Sequence, residues 1–159
     1  MLLQLNLFIA VIQIFAVSGS REGQLFHNDD TGAVHLMLDG VLRGVKSPES
    51  FNRIFEHKLE KTAMDYNYKD PGMYSPSQYF TFGRPLPEDG LIACPQEGNR
   101  DALSVYMLDY SEGSETTLVK RAVASPSAMK KYRFSWAAAK RNVRSREYLN
   151  TFPNGPVIS

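Results

Sequence analysis

One short pattern occurs twice in this chain, and the duplication constrains its fold more than any other feature. The earlier copy runs Met37-Leu38-Asp39 and then Arg43-Gly44-Val45-Lys46-Ser47-Pro48. The later copy runs Met107-Leu108-Asp109 and then Arg121-Ala122-Val123-Ala124-Ser125-Pro126. Each is an apolar run that ends at an aspartate, followed by Arg-x-Val-x-Ser-Pro and then by aromatic and basic residues. A unit this small buries its own apolar face poorly, so the two copies are expected to pack as neighbours.

The local signals within each copy read as a hairpin followed by a helix. Residues 24–27 and 33–38 have strand character, separated by the turn-forming Asn28-Asp29-Asp30-Thr31-Gly32. Asp39-Gly40 is a hairpin turn, because glycine tolerates the primed-turn geometry, and residues 41–46 form the partner strand. Ser47-Pro48 then opens a helix: serine caps exposed backbone N–H groups and proline suits the first helical position. Phe51, Ile54, Phe55 and Leu59 follow at helical spacing, which points them at a core. The second unit restarts at Gly90-Leu91-Ile92, with strands at 103–109 and 117–123 and a helix opened by Ser125-Pro126. Its helical pattern is expected to run on through Ala139 and Val143. Residues 66–87, rich in Pro, Gly and aromatics, read as a connector with little regular structure. Phe82-Gly83-Arg84-Pro85-Leu86 closes the first unit, and Phe152-Pro153-Asn154-Gly155-Pro156-Val157 closes the second in the same style.

The fold class expected from this pattern is α+β: two pseudo-symmetric β-hairpin-plus-helix repeats packed into one small domain. Residues 21–88 form the first unit and residues 89–159 the second. Ahead of them, residues 1–16 are apolar except for Gln4, Asn6 and Gln13, and the small residues Val17-Ser18-Gly19-Ser20 follow. A short apolar core ending in small residues is the pattern of a cleaved signal peptide, here residues 1–20. It is short beside the roughly 20 apolar residues of a membrane span. The expected location is therefore secreted and extracellular, with no transmembrane segment after signal removal.

Cys94 is the only cysteine, which excludes an internal disulfide. Following Leu91-Ile92-Ala93, it reads as a small buried apolar residue. The alternative is an intermolecular disulfide that makes a homodimer, since an unpaired cysteine in a secreted chain can serve that purpose.

Net charge is +1, but the charge is unevenly distributed. Between residues 119 and 148 the only acid is Glu147, among Lys120, Arg121, Lys130, Lys131, Arg133, Lys140, Arg141, Arg144 and Arg146. Lys130, Lys131, Tyr132, Arg133, Lys140, Arg141 and Arg144 form the candidate polyanion-binding set, with Trp136 as a further aromatic. Rings stack on sugars while Lys and Arg meet carboxylate, sulfate or phosphate. The competing reading makes Phe134, Trp136, Ala139 and Val143 core and the bases a wetted outer face. The partner class is an acidic glycan, matrix or other anionic surface; nucleic acid does not suit a secreted chain.

No catalytic motif stands out. His27, Asp29, Asp30, His35 and Asp39 lie close in sequence but lack a recognised zinc-ligand spacing, and residues 28–40 fail the calcium-loop pattern. No metal or cofactor is expected. Ser47 and Ser125 are explained as helix caps, and neither sits in Gly-x-Ser-x-Gly. His57, between Glu56 and Lys58, falls on a charged helix face. The expected function is a non-catalytic binding or structural module contacting an acidic polymer or extracellular matrix through its basic C-terminal unit. Two alternatives stand beside it: a secreted hydrolase with a carboxylate/His site near the first hairpin, and a peptide precursor. The precursor would be cut at Lys120-Arg121, Lys130-Lys131 and Lys140-Arg141, which recur at ten-residue spacing.

The pattern resembles a tandem motif of secreted and cell-envelope proteins, many of them bacterial. In that motif an apolar strand, a Gly turn, Lys/Arg-Arg-x-Val/Ile-x-Ser-Pro and a Phe-bearing helix recur, closed by a Pro/Gly segment. Residues 105–134 with Gly155-Pro156 match this form best, whereas the copy at 34–55 lacks a Trp after its helix. The resemblance implies a non-catalytic accessory module at a cell surface or wall.

Overall fold

The computed structural model describes residues 21–69, 80–114 and 116–159. The expected signal peptide, 1–20, and part of the connector lie outside these residues. The class is α+β, with short helices and two sheets. The described chain divides into two compact units. One comprises the residues up to Val45 together with Ala63–Pro85; the other comprises Lys46–Thr62 together with Leu86–Ser159.

The first unit is built on the meander β1 (Leu25–Asn28), β2 (Val34–Leu38) and β3 (Val41–Val45). Asn28 is buried, and its side-chain oxygen accepts from the backbone N–H groups of Asp30 and Thr31, which folds the first turn. In the second turn Asp39 and Gly40 both take positive φ, 55° and 74°. Two positive φ angles match the right-handed strand twist in a two-residue hairpin. The Glu22 carboxylate accepts from both of their N–H groups. Phe26, Met37 and Leu42 form a core on one sheet face with Tyr68 and Phe80.

The connector is more regular than its composition suggests. Tyr66–Tyr68 (β4) pairs in parallel with β1, and Thr81–Phe82 (β5) pairs in parallel with β3. The strand order becomes β4-β1-β2-β3-β5. Tyr66 stacks on Phe26 at 5.0 Å, so an aromatic contact accompanies the backbone pairing that holds this edge.

The second unit is also built on a meander. Strands β6 (Leu91–Gln96), β7 (Asn99–Tyr110) and β8 (Leu118–Ala122) form an antiparallel meander. Ala93 bridges Val143 in parallel on one edge, and Lys120 bridges Asn154 in parallel on the other. These bridges cover part of each edge. Ile92, Cys94, Leu108 and Leu149 form a core with Tyr106, Leu118 and Phe152.

Three features of the closing segments coincide. The Gly83 N–H donates to the Leu42 carbonyl, and the Gly155 N–H to that of Lys120. Arg43 Nε donates to the Arg84 carbonyl, and Arg121 Nε to that of Pro156 at 2.8 Å. A Cβ at Gly83 would lie 2.8 Å from Val41 Cγ2, and one at Gly155 would lie 2.5 Å from Val119 Cγ2. Only glycine permits either approach without displacement.

Matching the two arginines aligns the strands one residue away from a match of the two aspartates. Arg43 faces Leu36 across the ladder and Val41 faces Leu38; Arg121 faces Met107 and Val119 faces Asp109. With the arginines matched, Asp109 corresponds to Leu38 and Asp39 is one position beyond. A slip of one residue in a strand moves a side chain to the other face. Asp39 is accordingly an exposed turn residue, whereas Asp109 is buried 3.1 Å from the buried Arg121 guanidinium.

The helices are shorter than expected. The helix α1 (Pro48–Asn52) is capped by Ser47 and buries Phe51, but the chain leaves it at Arg53. Ile54 and Phe55 are buried outside it, and Leu59 lies in a 3₁₀ turn, Leu59–Lys61. Main-chain pairing ends the helix: the Ile54 carbonyl accepts from Ser135, and the Glu56 N–H donates to Arg133. The long helix expected after Ser125 is three short ones, α2 (Pro126–Lys131), α3 (Trp136–Arg141) and α4 (Arg146–Asn150). Ser125, Ser135 and Ser145 each cap one by accepting a backbone N–H with the side-chain oxygen. Arg133, at φ 55°, follows α2 in the left-handed conformation that closes helices.

The register makes a test of the two aspartates. Asp109→Ala leaves the Arg121 charge buried without its carboxylate and is expected to cost about 3–5 kcal/mol. Asp39→Gly, at an exposed positive-φ site, is expected to stay within about 0.5 kcal/mol of the parent. Urea unfolding followed by circular dichroism measures both.

Candidate anion-binding site

A cavity of about 410 Å³ opens in the second unit, lined in part by Arg53, Arg141 and Arg144. Its apolar lining is Leu91 and Ile92 from β6 and Ala138 from α3; Asp89, Asn142 and Tyr148 complete it. The volume lies within the roughly 300–1,000 Å³ of small-molecule pockets.

Each arginine is placed by the main chain around it. Arg53 caps the C-terminus of α1, its carbonyl accepts from the Leu91 N–H at 3.2 Å, and its guanidinium donates to the Glu88 carbonyl at 3.2 Å. Gly90 permits this contact: at φ 72°, a Cβ there would lie 2.6 Å from the Arg53 Cβ. Arg141 ends α3. Arg144 is fixed because the Ala93 carbonyl accepts from its N–H at 2.9 Å, and the Ala93 N–H donates to Asn142 at 3.1 Å. The Asn142 amide nitrogen donates to the carbonyls of Leu91, at 3.0 Å, and Asp89, at 3.3 Å. The Arg144 guanidinium lies 5.6 Å from the Tyr148 ring centroid, a cation–π distance.

The structure separates the candidate residues taken from the sequence. Arg141 and Arg144 meet at the cavity. Lys130, Lys131 and Lys140 are exposed in the last turns of α2 and α3, where cations suit the carbonyl ends of a helix. Lys131 donates to the Ser159 carbonyl at 2.9 Å. Tyr132 leaves the set: it is buried, its hydroxyl donates to Ser159, and its ring stacks on Phe134. Arg133 is half-buried at its left-handed position and does not line the cavity. The competing core assignment is corrected as well. Phe134 and Ala139 are buried, but Trp136 and Val143 are 40% and 49% exposed.

Sequence spacing did not reveal Arg53, Asp89, Asn142 or Tyr148. Arg53 and Asp89 reach the cavity from distant segments, so no local pattern connects them with Arg141. Tyr148 had a weak signal, because it continues the mixture of aromatics and bases to the end of α4.

Glu147, the one acid among these bases, is held below the usual glutamate range. Hydrogen bonding to its own backbone N–H is the largest cause, followed by the Ser145 hydroxyl and, more weakly, the Arg146 charge. It stays ionised at neutral pH, yet it does not line the cavity.

Around the first hairpin, His27 Nδ1 lies 3.0 Å from Asp29 Oδ1 with both side chains about a third exposed. His35 packs against Phe82 at 5.2 Å and Tyr68 at 6.3 Å. Among the described residues, no three His, Cys, Asp or Glu side chains gather as a metal-ligand group. Cys94 is 3% exposed within the second core, as the small buried residue of the first reading would be. No known protein family, curated protein or solved structure matches this chain.

Burial of the thiol is open to direct measurement. Ellman's reagent is expected to modify Cys94 slowly in the folded protein and at once in denaturant, with a monomeric mass whether or not reductant is present. Rapid modification of the folded chain would contradict its place in the core.

Proposed function

We propose that this chain is a secreted, non-catalytic binding module whose second unit contacts an acidic polymer, with an extracellular glycan or matrix surface as partner class. One observation carries the reading. Lys130, Lys131, Lys140, Arg141, Arg144 and Arg146 are all exposed, and Glu147 is the only acid in their stretch of chain. Guanidinium and ammonium groups at a wet surface meet carboxylate, sulfate or phosphate with charge-assisted hydrogen bonds. Secretion is supported by the leader pattern of residues 1–20. Among the described residues, no helix is long and apolar enough to cross a membrane. Descent of the two units from one ancestral hairpin module, of the tandem kind the sequence resembles, is part of the same proposal. It is supported by the shared strand plan and the matching Arg–carbonyl closures.

Heparin chromatography tests the contact. The mature protein is expected to be retained at low salt and released by about 0.5 M salt, because exposed charges are screened. A variant carrying Lys130→Gln, Lys131→Gln and Lys140→Gln is expected to elute earlier with unchanged circular dichroism. Passage of the parent through the column at low salt overturns the reading. Mass analysis of the protein exported by its native source addresses secretion: one species beginning near Arg21 is expected. Fragments ending at Arg121, Lys131 or Arg141 would instead favour a peptide precursor.

A further inference from the structure

We propose that the arginine-lined cavity is the subsite for a single hexuronate residue of the acidic glycan, a deepening that rests on the acidic-ligand reading above. Three arginines and one aspartate, Asp89, are among the residues lining the cavity, which leaves an excess of positive charge. An arginine's planar fork holds a carboxylate through two parallel hydrogen bonds, so a pair of arginines can take one acid group from two sides. That accounts for the acid.

The rest of the lining selects the body that carries it. Leu91, Ile92 and Ala138, almost wholly buried, are what apolar wall the cavity offers to the C–H face of a pyranose ring. Asp89 is an acceptor within a basic cavity, and its charge works against a small symmetric anion. It suits a ligand whose hydroxyl groups donate hydrogen bonds. The Asn142 amide nitrogen is already engaged with two backbone carbonyls, so the oxygen is what that side chain has to offer. Acceptors beside cations, over an apolar floor, describe a polyhydroxylated ring bearing one carboxylate. Sulfate or phosphate alone would use the arginines and leave the acceptors unmatched. Main-chain hydrogen bonds hold the backbone of Arg53 and Arg144 beside the cavity.

The test is titration of the full mature chain with a glucuronate-terminated disaccharide, followed by amide chemical shifts. Its controls are the neutral glucose-terminated analogue and sodium sulfate. A dissociation constant on the order of 1 mM is expected for the acid, given the modest affinity per atom of ligands this size. Shifts should centre on Leu91, Ala138 and Tyr148, with binding to either control at least about tenfold weaker. Arg53→Gln and Arg141→Gln are each expected to weaken the acid about tenfold or more while keeping the folded spectrum. The triple lysine variant should elute earlier from heparin yet bind the disaccharide as the parent does. Equal binding of the neutral sugar or of sulfate overturns the assignment, as does the absence of shifts at the cavity. If heparin is retained while the disaccharide fails, only the subsite falls. If the disaccharide binds without heparin retention, the subsite stands and the polymer contact through the lysines falls.

Discussion

The buried guanidinium of Arg121 ties the second unit together. It sits 3.1 Å from the Asp109 carboxylate and donates from Nε to the Pro156 carbonyl. A buried charge is tolerated only when it is paired and hydrogen-bonded. Those requirements hold neighbouring hairpin strands and the closing segment in one register. The backbone beside it completes the arrangement: Lys120 donates to Pro153 and accepts from Gly155, and Ile158 donates to Ala122. The closing segment thereby runs along β8 and covers its edge. In the first unit Arg43 makes the corresponding bond to Arg84, beside β5.

The second unit forms its arginine-lined cavity by interrupting what would be a long helix. Caps at Ser125, Ser135 and Ser145 divide residues 126–150 into three short helices. Between the last two, residues 142–144 pair with Ala93 in β6. A continuous helix would carry Asn142 and Arg144 past the sheet edge. The break sets them on it, and Arg144 meets Arg53 and Arg141 around one cavity. Two of the three dibasic pairs, Lys130-Lys131 and Lys140-Arg141, form the last turns of α2 and α3, whereas Lys120-Arg121 lies in β8.

Much of the fold was legible. Asp39-Gly40, Ser47-Pro48 and Ser125-Pro126 are local signals whose chemistry acts within four residues, and each forms the turn or cap it implies. The hairpin strands follow for the same reason. The interaction between Arg121 and Asp109 was not legible, because the two aspartates look alike in sequence and differ only in register. The candidate site was half legible. Charge pattern identifies Arg141 and Arg144, but it also draws in Tyr132, whose hydroxyl answers a backbone carbonyl and whose ring lies in the core.

By itself, the sequence determined the class, the turns, the caps and the concentration of basic charge, since each arises from neighbours along the chain. Tertiary structure decided where α1 stops, which aspartate is buried and which arginines share a cavity. Those outcomes depend on partners far apart in sequence: Ile54 with Ser135, Gly90 with Arg53, and Ala93 with Arg144. Periodicity records which residues prefer burial, but it carries no information about the distant backbone that will complete their hydrogen bonds.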